Sequence, residues 1–391
     1  MQIENIELVV IKLEKHIKSE DYKGYDPYDL LNSPIFKLPI LKSTKLIRFF
    51  SQQVFRRLFF NIRPLLGIKK EVNPVTLGLC IQAYTYLSII YEDKKDFYLQ
   101  EIKYCIQKLI ELKSIGYSGF CWGYNFDWEA RYTKIDKFVP TIVATGIITN
   151  GLFEYYKVYK DEKVKDILAN SAEFVLNDLN RYYENENFCF SYSPKDNQKV
   201  YNATMKGARL LSQVYSITKD QKLLSEAENT VKFVIKNQNA DGSWFYSKND
   251  ARKWVDNFHT AYVLDALDEF ITLSGKNEYK KNLDLGIKYY LKNLFTEEGY
   301  PKYYSNSFYP IDSTEVAQSI ITLTRFGFLE RAEKVIKFTI DNLYSDKGYF
   351  YYQKNRIYKH KTIYPRWSIS YLLISLSYFL FSKNYEKNKN F

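Results

Sequence analysis

The chain has 391 residues, 46% hydrophobic and 26% charged, a balance that excludes a disordered or collagen-like chain and allows one large repeat-built domain. Its 37 Tyr, 27 Phe and 5 Trp exceed what a core needs, while His16, His259 and His360 are the only histidines; they form no H-E-x-x-H or His/Cys pattern, so no metal site and no cofactor is implied. The net charge of +11 belongs to the chain ends: nine basic and no acidic residues lie between Leu31 and Lys70, eight basic residues and Glu386 from Gln353 onward, and the rest sums to −5. A nucleic-acid binder carries its charge on one dedicated face, so no nucleic-acid partner is expected.

Residues 1–73 read as a basic helical extension packing on a domain formed by 74–391. Within it KLIRFFSQQVFRRLFF (Lys45 to Phe60) sets Ile47, Phe50, Val54 and Leu58 on one helical face. That face is expected to pack on the domain and leave a solvated basic rim; the alternative is an interfacial helix on anionic lipid. Cys80, Cys105, Cys121 and Cys189 form no C-x-x-C and follow no secretory signal. They are expected to be buried free thiols of a cytoplasmic protein, peripheral at most to the inner face of the membrane.

From Pro74 onward one pattern recurs. A helix rich in small residues turns at a charged stretch and returns as an amphipathic helix, at Pro74 to Lys113, Thr141 to Asn180, Tyr201 to Gln238, Asn257 to Phe295 and Ser313 to Tyr344, with a half-repeat from Pro365. In the second hairpin Val164, Ile167, Leu168, Ala172, Val175, Leu176 and Leu179 mark the buried face of the outer helix. Asn202, Asn257 and Ser313 stand where N-caps belong. Aromatic stretches follow the helical segments: GFCWGYNFDW (119–128), NFCFSYS (187–193), GSWFYSK (242–248), GYPKYY (299–304) and GYFYYQK (348–354). Five hairpins and a lone last helix, completed by a partner from the N-terminal region, predict an all-α fold: an (α/α)6 toroid with short aromatic β-hairpin loops on one rim. An open solenoid is the alternative. The longest apolar run, Tyr371 to Phe381, is about half of what spans a bilayer and reads as a core helix.

Several segments in order, GYDPYDLLNSP, NIRPLLGIKKEVNP, FCWGYNFDWEAR, WVDNFHTAYVLDAL and YPIDSTEVAQ, resemble the VpsJ-like family of polysaccharide-biosynthesis proteins from about residue 20 to residue 375. The resemblance implies an (α/α)6 toroid related to glycosidases, polysaccharide lyases and sugar epimerases, usually encoded near capsule or exopolysaccharide genes. It does not imply a particular reaction.

In a toroid the aromatic loops and the inner-helix N-termini surround one cavity mouth. Helix N-termini favour anionic ligands, and aromatic rings stack on sugars. The expected partner is therefore an oligo- or polysaccharide, acidic or lipid-linked. Asp256 and Asp127, with Asp312 as substitute, are the candidate acid and base for glycoside hydrolysis. For epimerisation or elimination the base is His259 or a tyrosine such as Tyr124 or Tyr201, with Arg366 holding a substrate carboxylate. Trp122, Trp128, Trp244, Asn202, Asn257 and Trp367 complete the binding set. Each has a plainer reading beside it: Asp256 and Asp312 as helix caps, His259 as a core residue, Asp127 as a partner of Arg131, Arg366 as a cation–π partner of Trp367, and the aromatic loops as self-packed hairpins. A non-catalytic glycan-binding or scaffold subunit is the competing function. A terpenoid cyclase or prenyltransferase is remote, because the D-x-D-D motif and a zinc-ligand cluster are missing from the sequence.

Overall fold

The computed structural model describes residues 3–130 and 133–389. Helices α1 (Ile3–Ser19), α2 (Pro39–Ser43) and α3 (Lys45–Phe55) precede five hairpins: α4 (Pro74–Ile90) with α5 (Lys95–Glu111), α6 (Ile142–Tyr159) with α7 (Glu162–Asn177), α8 (Tyr201–Thr218) with α9 (Gln221–Lys236), α10 (Asn257–Ser274) with α11 (Lys280–Asn293), and α12 (Ser313–Arg325) with α13 (Leu329–Leu343). A π-helical turn, Pro365–Ile369, leads into α14 (Ser370–Lys389). The even-numbered helices from α4 to α14 pack side by side, and α14 returns to α4. The ring is closed, and the fold is an (α/α)6 toroid.

Burial explains the layers. In α4 all but a few residues are buried, whereas in α7 Val164, Ile167, Leu168, Ala172 and Val175 are buried and the rest of the helix carries its charge outward. Inner helices must therefore tolerate neighbours on every side. At the crossing of α4 and α6 this requires glycine: a Cβ on Gly151 would stand 2.1 Å from the Gly78 carbonyl oxygen. Gly151→Ala should cost about 1–3 kcal/mol through overpacking. Urea denaturation checks this, and an unchanged midpoint would mean that the two helices separate freely.

α1 supplies the sixth outer helix. Its Ile6, Val9, Val10, Leu13 and Ile17 enter the main core, and it packs on α14. Residues 25–68 hold a second small cluster, Leu30, Phe55 and Ile68, and form a cover over one rim.

The cover reverses the expected orientation of Phe50 and Val54 but not of Leu58, which packs on the small cluster. Phe50 and Val54 face solvent and Ile47 is half-buried, whereas Arg48, Gln52 and Arg56 turn inward. The reason is that the rim offers polar partners: Arg48 donates to Glu129 (2.7 Å), Gln52 donates to the Tyr28 carbonyl and accepts from Glu129 N–H, and Arg56 donates to the Tyr28 hydroxyl.

The aromatic loops form short antiparallel pairs, 128–129 with 134–135 and 181–184 with 187–190, and a three-stranded sheet in which 311–312 and 359–360 flank 353–354. All four cysteines are buried and free. Among the described residues no helix is long and apolar enough to cross a membrane.

Candidate functional site

The inner helices begin at the covered rim. Asn73 and Thr141 cap α4 and α6, and Asp256 and Asp312 cap α10 and α12, one residue before the expected Asn257 and Ser313. The plainer reading of both aspartates is therefore part of their role. Asn257 instead donates to the Leu294 carbonyl and accepts from the hydroxyls of Tyr290 and Ser319, which ties α10 to α11 and α12. Asn202 is not a cap either: it is the second residue of α8, and its Oδ1 is buried without a hydrogen-bond partner.

The tryptophans divide into two groups. Trp122 and Trp244 are buried, and their indole N–H groups donate to the carbonyls of Leu109 (2.8 Å) and Val234 (2.9 Å). Each carbonyl lies in the last turn of an outer helix. Both rings hold the repeat together; Trp122 lies wholly in the core, while an edge of Trp244 also lines the crevice beside Asp256 and His259. Trp128, Trp254 and Trp367 are half-buried at the rim. Tyr28 of the cover contacts Phe126, Trp128 and Trp367, and Trp128 contacts Tyr192, whose hydroxyl lies 3.3 Å from that of Tyr124. Tyr201 packs on Phe233 of α9.

Asp256 does more than cap. Its Oδ1 accepts the His259 backbone N–H (2.8 Å), and its Oδ2 is 2.6 Å from His259 Nδ1. The carboxylate is buried, but the imidazole keeps 22% of its surface exposed, among Tyr246, Trp254, Phe258 and Tyr262. In a neutral imidazole, an Nδ1 proton donated to Asp256 leaves the lone pair on Nε2. A crevice of about 10 Å³ at the N-termini of α8 and α10 brings together Tyr201, Asn202, Trp244, Tyr246, Asp256 and His259. That is room for about one water-sized group.

The other candidates are engaged elsewhere. Asp127 accepts from Lys137 N–H (2.8 Å) and pairs with Lys134 (3.1 Å), and it shares no partner with Asp256; Arg131, its expected partner, lies outside the described residues. Asp312 is buried and bonded to Gln353, and burial pushes its carboxyl up to about 6. Beside it Glu315 is buried with neither oxygen bonded, and burial raises it well above the carboxylate range. Arg366 is not available to a substrate carboxylate: Nε and Nη2 donate to Asp26 at 2.7 and 3.0 Å. Its guanidinium lies 4.5 Å from the Trp367 ring centre, the cation–π pair of the plainer reading, and 4.8 Å from that of Tyr124.

Sequence reasoning missed Arg56, whose guanidinium acts on Tyr303, Tyr304, Tyr352 and Asp312 from the cover. It also missed the ring centre. Lys206 and Arg209, Tyr262 and Asp265 are the sixth and ninth residues of α8 and α10, and with Gln318 and Arg325 they close the channel to about 40 Å³. The Lys206 amine rests 3.6 Å from the Tyr262 ring centre, and burial pushes it well down. The signal was present: charges three residues apart inside a helix otherwise built of small and apolar residues.

His360, beneath the cover, is held down at about 4 by burial and Arg63, against an ordinary value near 6.5. An unfolded chain binds this proton first, so His360 withdraws up to about 3 kcal/mol of stability as pH falls from 6.5 to 4. Asp265 and Asp312, raised to about 6, act in the opposite direction, so a comparison of variants is needed. His360→Phe is expected to make stability fall less steeply below pH 6.5 than in the parent chain. Parallel stability profiles for the two proteins would refute the assignment.

Neither a protein-family model nor a curated protein matches the chain by sequence. Its fold is similar to solved structures. The Lin0763 protein from Listeria innocua is 13% identical over 99% of both chains, with a TM-score of 0.60. Cellobiose 2-epimerase from Bacillus thermoamylovorans is 13% identical over 79% of this chain and 87% of its own, with a TM-score of 0.59. The GH76 α-mannanase BT2949 from Bacteroides thetaiotaomicron is 15% identical over 81% of this chain and 87% of its own, with a TM-score of 0.55. At such identities the likeness establishes the toroid fold alone.

Proposed function

We propose that this is a VpsJ-like carbohydrate-active protein of surface-polysaccharide biosynthesis that moves a proton on an acidic glycan at the covered rim, with His259 as base and Asp256 as the group that orients it. The observation that carries this reading is the 2.6 Å contact between Asp256 and His259 Nδ1, with a partly exposed imidazole set among aromatic rings. Two structural neighbours, a cellobiose 2-epimerase and an α-mannanase, agree with a carbohydrate substrate. Hydrolysis by Asp256 and Asp127 is the weaker variant, because Asp127 is bound to Lys134 and Lys137.

In elimination, His259 Nε2 takes the proton next to the uronate carboxylate. That electron pair forms the carbon–carbon double bond as the bond to the leaving oxygen breaks. A neutral phenol such as Tyr246, its hydroxyl pushed up by burial, protonates the departing oxygen. In epimerisation the same base takes the proton and the neutral Tyr246 phenol returns one to the carbanion on the opposite face. Arg56 replaces Arg366 as the cation facing the substrate charge.

A glycan-binding subunit is the second reading, favoured by the small crevice and the closed ring centre. Incubation with acidic oligosaccharides in deuterated water, followed by mass spectrometry and NMR, separates these possibilities. Deuterium uptake without cleavage indicates epimerisation, and cleavage to an unsaturated product indicates elimination. Cleavage with added water would replace the proposal by hydrolysis, and binding without change would replace it by the binding subunit.

A further inference from the structure

Residues 31–70 join two features that soluble surfaces keep apart. Along α3, Leu46, Phe50 and Val54 follow one another at four-residue spacing and are all more than 60% exposed. Leu38 and Ile40 before them, and Phe59, Phe60 and Leu65 after them, are at least half exposed. Lys37, Lys42, Lys45 and Arg57 are exposed among these residues, and among the described residues none of the four pairs with a carboxylate. A surface helix ordinarily turns its apolar stripe to the core; here the inward face is taken by Arg48, Gln52, Phe55 and Arg56, each engaged at the rim or in the small cluster beneath.

An exposed apolar patch of this extent marks an interaction surface, and its charge selects the partner. A second copy would set one wholly basic segment against another. A nucleic acid would match the charge but leave the leucines, isoleucine and valine in water. An anionic bilayer satisfies both, since aliphatic and phenyl groups enter the acyl boundary while lysines stay among the headgroups.

We infer that the outer face of residues 35–60 is an interfacial docking surface for anionic lipid, on which α3 lies in the plane of the membrane. The inner face of the same helix borders the candidate site through Gln52, Arg56 and Tyr28, so docking would hold the covered rim at the bilayer. The inference holds whether or not that rim is catalytic.

The test is co-sedimentation of the full chain with phosphatidylcholine vesicles and with vesicles containing phosphatidylglycerol. Binding to the anionic vesicles should be about tenfold stronger and fall as salt rises. Phe50→Ser with Val54→Ser, both at exposed positions, should remove most of it, and Lys42→Glu with Lys45→Glu should do the same, each with an unchanged thermal midpoint. Equal binding to both vesicle types, or none, would overturn the inference. So would a dimer seen by light scattering that the Phe50 and Val54 substitutions dissociate, because the surface would then be occupied by a second copy.

Discussion

Asp256→Asn is expected to slow turnover by about a thousandfold or more while leaving the fold in place, by the logic that applies when a histidine-orienting aspartate becomes an amide. The two oxygens of Asp256 have separate tasks. Oδ1 accepts the backbone N–H of His259 and starts α10, and asparagine is as good an N-cap as aspartate. Oδ2 meets Nδ1. An amide there presents N–H instead of a lone pair, so the imidazole can keep the contact only by moving its proton to Nε2, which removes the base from the side facing the mouth. The thermal midpoint should therefore change little while deuterium uptake into substrate is lost. His259→Gln should match that loss. A turnover within a few-fold of the parent chain would reduce Asp256 to a cap and remove His259 as the base.

The members of that pair were legible because they stand three apart at a helix start in WVDNFHT, but the sequence set Asp256 beside Asp127 and His259 apart as an alternative base; their contact is seen only in the fold. The toroid was legible for a related reason, since inner and outer helices differ in how many faces they bury, and the difference is written in small residues against amphipathic ones. The caps at Asp256 and Asp312 were legible to within one residue.

What was not legible depends on distant partners. Nothing near Trp122 or Trp244 tells an indole that stacks on a sugar from one that donates to the last turn of an outer helix. The orientation of α3 is set by Glu129 and Tyr28, neither of which its own periodicity can reveal. The role of Arg366 is decided by an acid 340 residues away.

That distant acid gives the largest expected effect on stability. Asp26→Ala should destabilise the protein by about 3–5 kcal/mol, because it leaves a buried guanidinium without its counter-charge. Asp26 is 3% exposed, and its carboxylate takes two hydrogen bonds from Arg366 and one from Tyr28 N–H. Its own carbonyl accepts from Arg63, whose Nε bonds both oxygens of Asp29, and Asp29 in turn accepts Asp26 N–H. Two arginines and two aspartates thus join the cover to the last half-repeat, and the same carboxylate sets the Tyr28 backbone against the mouth. The loss should appear as a lower thermal midpoint and as faster trypsin cleavage within residues 31–70, where lysines and arginines are dense. Arg366→Met in the Asp26→Ala background should recover much of the stability, since removing both charges ends the desolvation cost and a methionine can pack between Tyr124 and Trp367. If the single substitution costs less than about 1 kcal/mol, the value of a surface pair, this ion pair does not fasten the cover, and the attachment must rest on the apolar contacts around Leu30, Phe55 and Ile68.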